Sequence, residues 1–202
     1  MALIKHGNNA LSNVTAFPSA VPTGKPVLLS TATASSSASI EFTSGIDSTY
    51  DIYKFEFINI HPSNDSVHLT FNMSTDGGSN YNVTKTTTSF FSYHNEADND
   101  AGLTYLTGLD LAQSTADQII CGTVGNLNDE SFSGTLQLFN PSSTTYVKHF
   151  LVRGNTYSQD NMSADMYFAG YGNTVSAVNS VRFKFQSGNI DAGTIKMYGI
   201  SA

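Results

Sequence analysis

From Pro26 onward the chain alternates apolar and polar residues with a period of two, the pattern of strands that bury one face. VLLSTATA, from Val27, predicts a first strand. SASIEFTS, in which Ile40 and Phe42 alternate with Ser39 and Glu41, predicts a second that pairs with it locally. Residues 50–60, YDIYKFEFINI, set Tyr53, Phe55 and Phe57 on one face and Ile52, Lys54, Glu56 and Ile58 on the other, so the aromatic row should face a core. His61 and Pro62 end that strand, since proline has no N–H for a ladder. VHLTFNMS then places Val67, Leu69, Phe71 and Met73 opposite His68, Thr70 and Asn72.

Turn chemistry separates these runs. STDGGSNYN carries Asp76 ahead of Gly77 and Gly78, which supply positive φ for a tight connection. A strand is expected over residues 81–94, and residues 95–117 are the least regular part of the chain. DQIICGTV, ESFSGTLQLF, TYVKHFLVRG and SADMYFAGYG predict further strands. The final run, VRFKFQSGNIDAGTIKMYGISA from Val181, reads as two antiparallel strands joined by a Gly/Asn/Asp turn, with Val181, Phe183 and Phe185 inward. No helical period persists and no fixed repeat appears. About ten short strands with turn signals between them predict an all-β fold, an antiparallel β-sandwich of jelly-roll-like type. It would occupy residues 26–202 as one domain.

Residues 1–25 break the pattern. Gly7, Pro18, Pro22 and Gly24 interrupt isolated apolar residues, which predicts an extended N-terminal arm laid against a partner. Leu3, Ile4, Leu11, Val14 and Phe17 are its candidate anchors, because a short extended peptide docks through spaced side chains and backbone hydrogen bonds.

Composition narrows the function classes. Charged residues make up 12% of the 202-residue chain and its net charge is -7, with nine Lys and Arg dispersed along it. That balance argues against nucleic acid, whose recognition needs clustered cations. No segment is long and apolar enough for a membrane-spanning helix, and the start lacks the apolar core of a secretory signal, which predicts assembly in a cytoplasm without membrane insertion. Cys121, alone in the chain and set in the apolar run IIC, reads as a buried small hydrophobe.

Reactive constellations are thin. Asp98, Asp100 and Gly102 resemble the start of a calcium loop, but the last ligand position of an EF-hand falls on Leu109, so a solvated polar loop is the better reading. The five histidines show no helical metal spacing, and neither a G-x-S-x-G elbow nor a Cys/His signature is present. No catalytic residue, cofactor or metal is therefore assigned. Paired carboxylates for glycan cleavage depend on a separation that only the fold fixes. A softer signal comes from Tyr81, Tyr93, Tyr105, Tyr157, Tyr167 and Tyr171, whose rings beside Asn and Ser could read a sugar. Loops 95–104 and 155–162 are the candidate binding loops, with Asp98, Asp100, Tyr105 and Tyr157 as their candidate residues.

The segments FEFINIHPSNDSVHLTFNMSTDGGSNYN, LQLFNPSSTTYVKHF and VRFKFQSGNIDAGTIKMYGI resemble a family of tailed-phage virion proteins, frequent in phages of marine bacteria and often labelled tail-fibre or structural proteins. The opening IKHGNNALSNVTAFPSA is similar to the start of many of them. The resemblance implies a non-enzymatic virion structural protein, assembled in the host cytoplasm and docked on tail or capsid proteins through the arm. It also implies a homo-oligomer, a trimer being one option. Capsid decoration, or a receptor-binding module for a host surface glycan, are the alternatives.

Overall fold

We describe residues 25–158 and 160–201 of a computed structural model; the arm residues Leu3, Ile4, Leu11, Val14 and Phe17 lie outside them. Twelve strands form two antiparallel sheets. In chain order they are β1 (Val27–Thr33), β2 (Ile40–Phe42), β3 (Ile52–Pro62), β4 (Val67–Ser74), β5 (Lys85–Asn95) and β6 (Ala101–Tyr105). Then come β7 (Gln118–Val124), β8 (Phe132–Phe139), β9 (Lys148–Ser158), β10 (Met162–Gly172), β11 (Ser180–Phe185) and β12 (Ile190–Ile200).

The eight-stranded sheet runs β1-β12-β3-β8-β9-β10-β5-β6 and the four-stranded sheet β2-β11-β4-β7. Two blocks of four, β1-β12-β3-β8 over β2-β11-β4-β7, give the jelly-roll order, in which the chain crosses between the sheets at every step except β4 to β7, which pair in one sheet. The hairpin β9–β10 and the pair β5–β6 are insertions that widen one sheet only. Residues 106–114 continue along the free edge of β5, with Leu106 donating to Ser89, Thr87 to Leu111 and Lys85 to Ser114 through their backbones.

The alternation of the sequence decides which side chains fill the space between the sheets. Tyr53, Phe55 and Phe57 of β3, Leu69, Phe71 and Met73 of β4, Leu136 and Leu138 of β8, and Val181, Phe183 and Phe185 of β11 are all buried there. Phe183 sits at the centre, its ring centroid 5.1 Å from Phe57, 5.3 Å from Phe55, 6.3 Å from Phe42 and 6.4 Å from Phe71. Three of these pairs meet edge to face, the arrangement the ring quadrupole favours. Cys121 is buried as the sequence suggests, and burial pushes its thiol pKa well up, so it is no nucleophile.

Three local expectations are corrected. β1 and β2 do not pair: β1 lies beside β12 and β2 beside β11, in different sheets. The terminal run is likewise no hairpin, because β11 pairs with β2 and β4 while β12 pairs with β1 and β3. In both cases the short polar link is a corner between layers, a choice made by which faces must be buried rather than by the turn residues. The irregular stretch 95–117 contains the edge strand β6, whose exposed face carries no apolar alternation. Gly77 and Gly78 do take positive φ, at 74° and 90°. Gly193, at φ 114°, sits in a register shift between β12 and β3 where an added Cβ would lie 2.5 Å from the Asn59 carbonyl oxygen.

Candidate functional site

The insertions leave the outer side of the large sheet open, and the register aligns its outward side chains in rows across the strands. One row runs Thr135, Arg153, Tyr167, Phe90 and Tyr105, from β8 through β9, β10 and β5 to β6. The next runs Gln137, Leu151, Ala169 and Thr88, and a third His149, Tyr171 and Thr86.

The first row is a wall. Tyr167 and Phe90 stack with centroids 4.7 Å apart and planes 7° from parallel. Parallel rings separated by one strand spacing must stand on edge on the sheet. The Arg153 guanidinium lies 4.9 Å from the Tyr167 ring centroid, a cation–π contact. Asp165 accepts from Arg153 Nε at 3.3 Å and Nη2 at 2.9 Å, and from the Tyr167 hydroxyl at 3.0 Å. The bond from Arg153 holds the Asp165 carboxyl below its ordinary pKa against the opposing effect of burial. The third row forms a lower opposite side, with the His149 and Tyr171 rings 6.3 Å apart.

Between them the small side chain of Ala169 keeps the floor low. The result is a depression of about 460 Å³ beside Phe90, Tyr167 and Arg153, adjoining one of about 350 Å³ beside His149 and Tyr171. Phe90 is 42% exposed and Leu151 52%, both at outward positions of strands paired on two sides, and Tyr105 of the edge strand β6 is 50% exposed beside them. The groove offers apolar and ring surface, the Gln137 amide, and the Thr88 and Thr135 hydroxyls. The cation that lines it, Arg153, is paired with Asp165.

The two loops singled out in the sequence do meet. They are the turns of β5–β6 and β9–β10, side by side, with the Glu96 N–H donating to the Asn161 carbonyl at 2.9 Å. Their candidate residues do not converge on a ligand. Asp98 faces His94 at 3.1 Å, Asp100 accepts from the Tyr93 hydroxyl at 3.3 Å, and the Tyr157 hydroxyl donates to the Asn161 side chain at 3.1 Å. Tyr105 instead ends the wall of the groove, its hydroxyl donating to Asp110 at 2.6 Å. His68 and His149 belong to different sheets, and among the described residues no cluster of three or more metal-ligating side chains occurs. A separate acidic depression of about 450 Å³ holds Asp129, Glu130 and Asp191 beside His61. There Glu130 is committed to the Leu127 N–H at 2.7 Å.

Sequence reasoning missed Phe90, Leu151, Arg153, Thr135 and Gln137. The available signal was an apolar residue at an outward position, Phe90 beside inward Phe91 and Leu151 between inward Phe150 and Val152. Grouping them needed the order of β5, β10 and β9, which no local pattern encodes. Comparisons with protein-family models, with curated proteins and with solved structures find no match.

Proposed function

We propose that this chain is a structural protein of a virion and, more narrowly, a tail- or fibre-associated protein of a tailed phage. It would dock on the particle through residues 1–25 and present the outer face of its large sheet to a contact. The observation that carries this reading is that face: exposed Phe90, Leu151 and Tyr105 lie contiguously on paired strands, around an ion pair that cancels itself. Such a surface suits contact more than chemistry. The resemblance of three long segments to phage virion proteins supplies the biological setting. Among the described residues, the strands of the jelly roll lie within residues 27–200.

Removal of residues 1–25 tests it. The truncated chain should remain folded by circular dichroism and be lost from particles in a complementation assay. Normal incorporation would refute docking by the arm.

The groove itself favours a second reading, a host-glycan-binding module. A neutral sugar chain could lie along it, with C–H faces on Tyr167, Phe90 and Leu151 and hydroxyls on Gln137, Thr135 and Thr88. Binding of the purified protein on a glycan array, lost in Tyr167→Ala, would support that role. A null array would leave the face to a neighbouring subunit.

A further inference from the structure

The even-numbered residues of β4 point away from the core, yet Asn72 is only 1% exposed. Loop backbone closes over it. Asn72 Nδ2 donates to the carbonyls of Tyr81 at 2.8 Å and Thr115 at 3.1 Å and to Asp117 Oδ1 at 2.8 Å. Its Oδ1 accepts from the Met73 backbone N–H at 2.9 Å and from Lys85 Nζ at 2.6 Å. Acceptors on one side and donors on the other fix which way the amide points. Lys85, the first residue of β5, is fully buried, and its Nζ also donates to the Val83 carbonyl at 2.7 Å. Asp117 is held in turn by Lys184 at 2.9 Å and Arg182 at 3.3 Å.

A buried amine against a buried carboxamide is a reactive arrangement when an oxyanion donor and a proton carrier accompany it. All four parts are here. Lys85 Nζ touches the amide oxygen, and the Cγ it must reach lies one carbonyl bond, about 1.2 Å, beyond. The Met73 N–H is aimed at the oxygen on which charge would develop. Asp117 grips the nitrogen that would leave. Burial brings the Lys85 ammonium pKa down to about 8, against the opposing charge of Asp117, so a useful fraction is the neutral nucleophile near neutral pH. For Asp117, burial raises the pKa, but the hydrogen bonds from Asn72 and Lys184 and the charges of Lys184 and Arg182 outweigh it and keep the carboxylate anionic.

We propose that, after folding, Lys85 and Asn72 join in an intramolecular isopeptide bond that ties the start of β5 to β4. Neutral Nζ adds its lone pair to Cγ while the carbonyl π pair moves onto Oδ1. A proton passes from the now cationic Nζ through the Asp117 carboxylate to Nδ2. The Cγ–Nδ2 bond breaks, the carbonyl re-forms, and ammonia leaves. Amine plus carboxamide gives a secondary amide plus ammonia, with no oxidant and no co-reactant. The inference does not depend on the proposed function.

Intact mass of the purified full-length chain reads the reaction directly. The expected mass is lower than that of the sequence by one ammonia, and trypsin, which needs a free lysine, should no longer cut after Lys85. Lys85→Met and Asn72→Ala should show the unmodified mass, and Asp117→Asn should slow the loss by about a hundredfold or more. A wild-type chain that keeps its full mass after prolonged incubation above the pKa of Lys85 overturns the proposal, whatever the variants do. So does a loss of ammonia that persists undiminished in Lys85→Met, since it would then come from cyclisation of a side-chain amide without the lysine.

Discussion

Phe183→Ala tests the jelly-roll core at its centre. The side chain is fully buried, and four phenylalanines from β2, β3 and β4 surround it within 6.4 Å. Truncation removes the transfer energy of the ring and leaves a cavity that walls from two sheets cannot both close, at a cost of about 3–5 kcal/mol. Edge-to-face terms are shared among the four neighbours and are not counted again. Against a total stability of about 5–15 kcal/mol, that is a large fraction. In a domain of this size it corresponds to a fall in Tm of roughly 6–20 °C. Phe90→Ala is the control, because the same deletion on the outer face removes a half-exposed ring and should cost under about 1 kcal/mol. Urea titration of both variants by circular dichroism compares them. A loss below about 1.5 kcal/mol for Phe183→Ala, or equal losses for the two, would refute the assignment of inner and outer faces.

Three further outcomes are expected. Gly193→Ala forces a Cβ into the left-handed region against the Asn59 carbonyl and should destabilise by about 1–3 kcal/mol, whereas Gly108→Ala, with open space around it, should be neutral in the same melt. The folded-state pKa of Asp165 lies below its unfolded value, so its contribution to stability is present above the ordinary carboxylate pKa and is lost as pH falls through the folded value. Asp165→Asn should therefore flatten that part of the acid limb when Tm is followed from about pH 5 to 2, and an unchanged slope would contradict the pairing with Arg153. Leu151→Glu sets an unmatched charge on the floor of the groove. It should leave the fold intact by circular dichroism and abolish whatever contact the outer face makes, so retained binding would move the contact elsewhere.

The sequence was most informative where one face of a strand is buried. Alternation placed Tyr53, Phe55, Phe57, Val67, Leu69, Phe71, Met73, Val181, Phe183 and Phe185 on the core side, and all are buried. Partner choice was not legible. The Gly/Asn turn after Phe185 has the composition of a hairpin, but covering both layers sends β12 to the other sheet, and the same competition separates β1 from β2. The outer face escaped for a related reason: Tyr105, Tyr167, Phe90 and Leu151 stand far apart along the chain and become one surface only through insertions whose strand order is non-local. Asp98, Asp100 and Tyr157 have the composition of polar binding loops, but Asp98 and Asp100 bond side chains at the end of β5, and Tyr157 stands at the end of β9 with its hydroxyl on Asn161. The buried Lys85 was invisible, since a lysine opening a Thr-rich strand has every appearance of a solvated one.

The central proposal, that this chain is a virion component, is tested most directly by quantitative mass spectrometry of gradient-purified virus particles from the cells that produce it. The account predicts the chain at a fixed stoichiometry, roughly a few tens of copies or fewer per particle for a tail-associated protein. Absence from particles, with the chain recovered only in the soluble lysate, would contradict it.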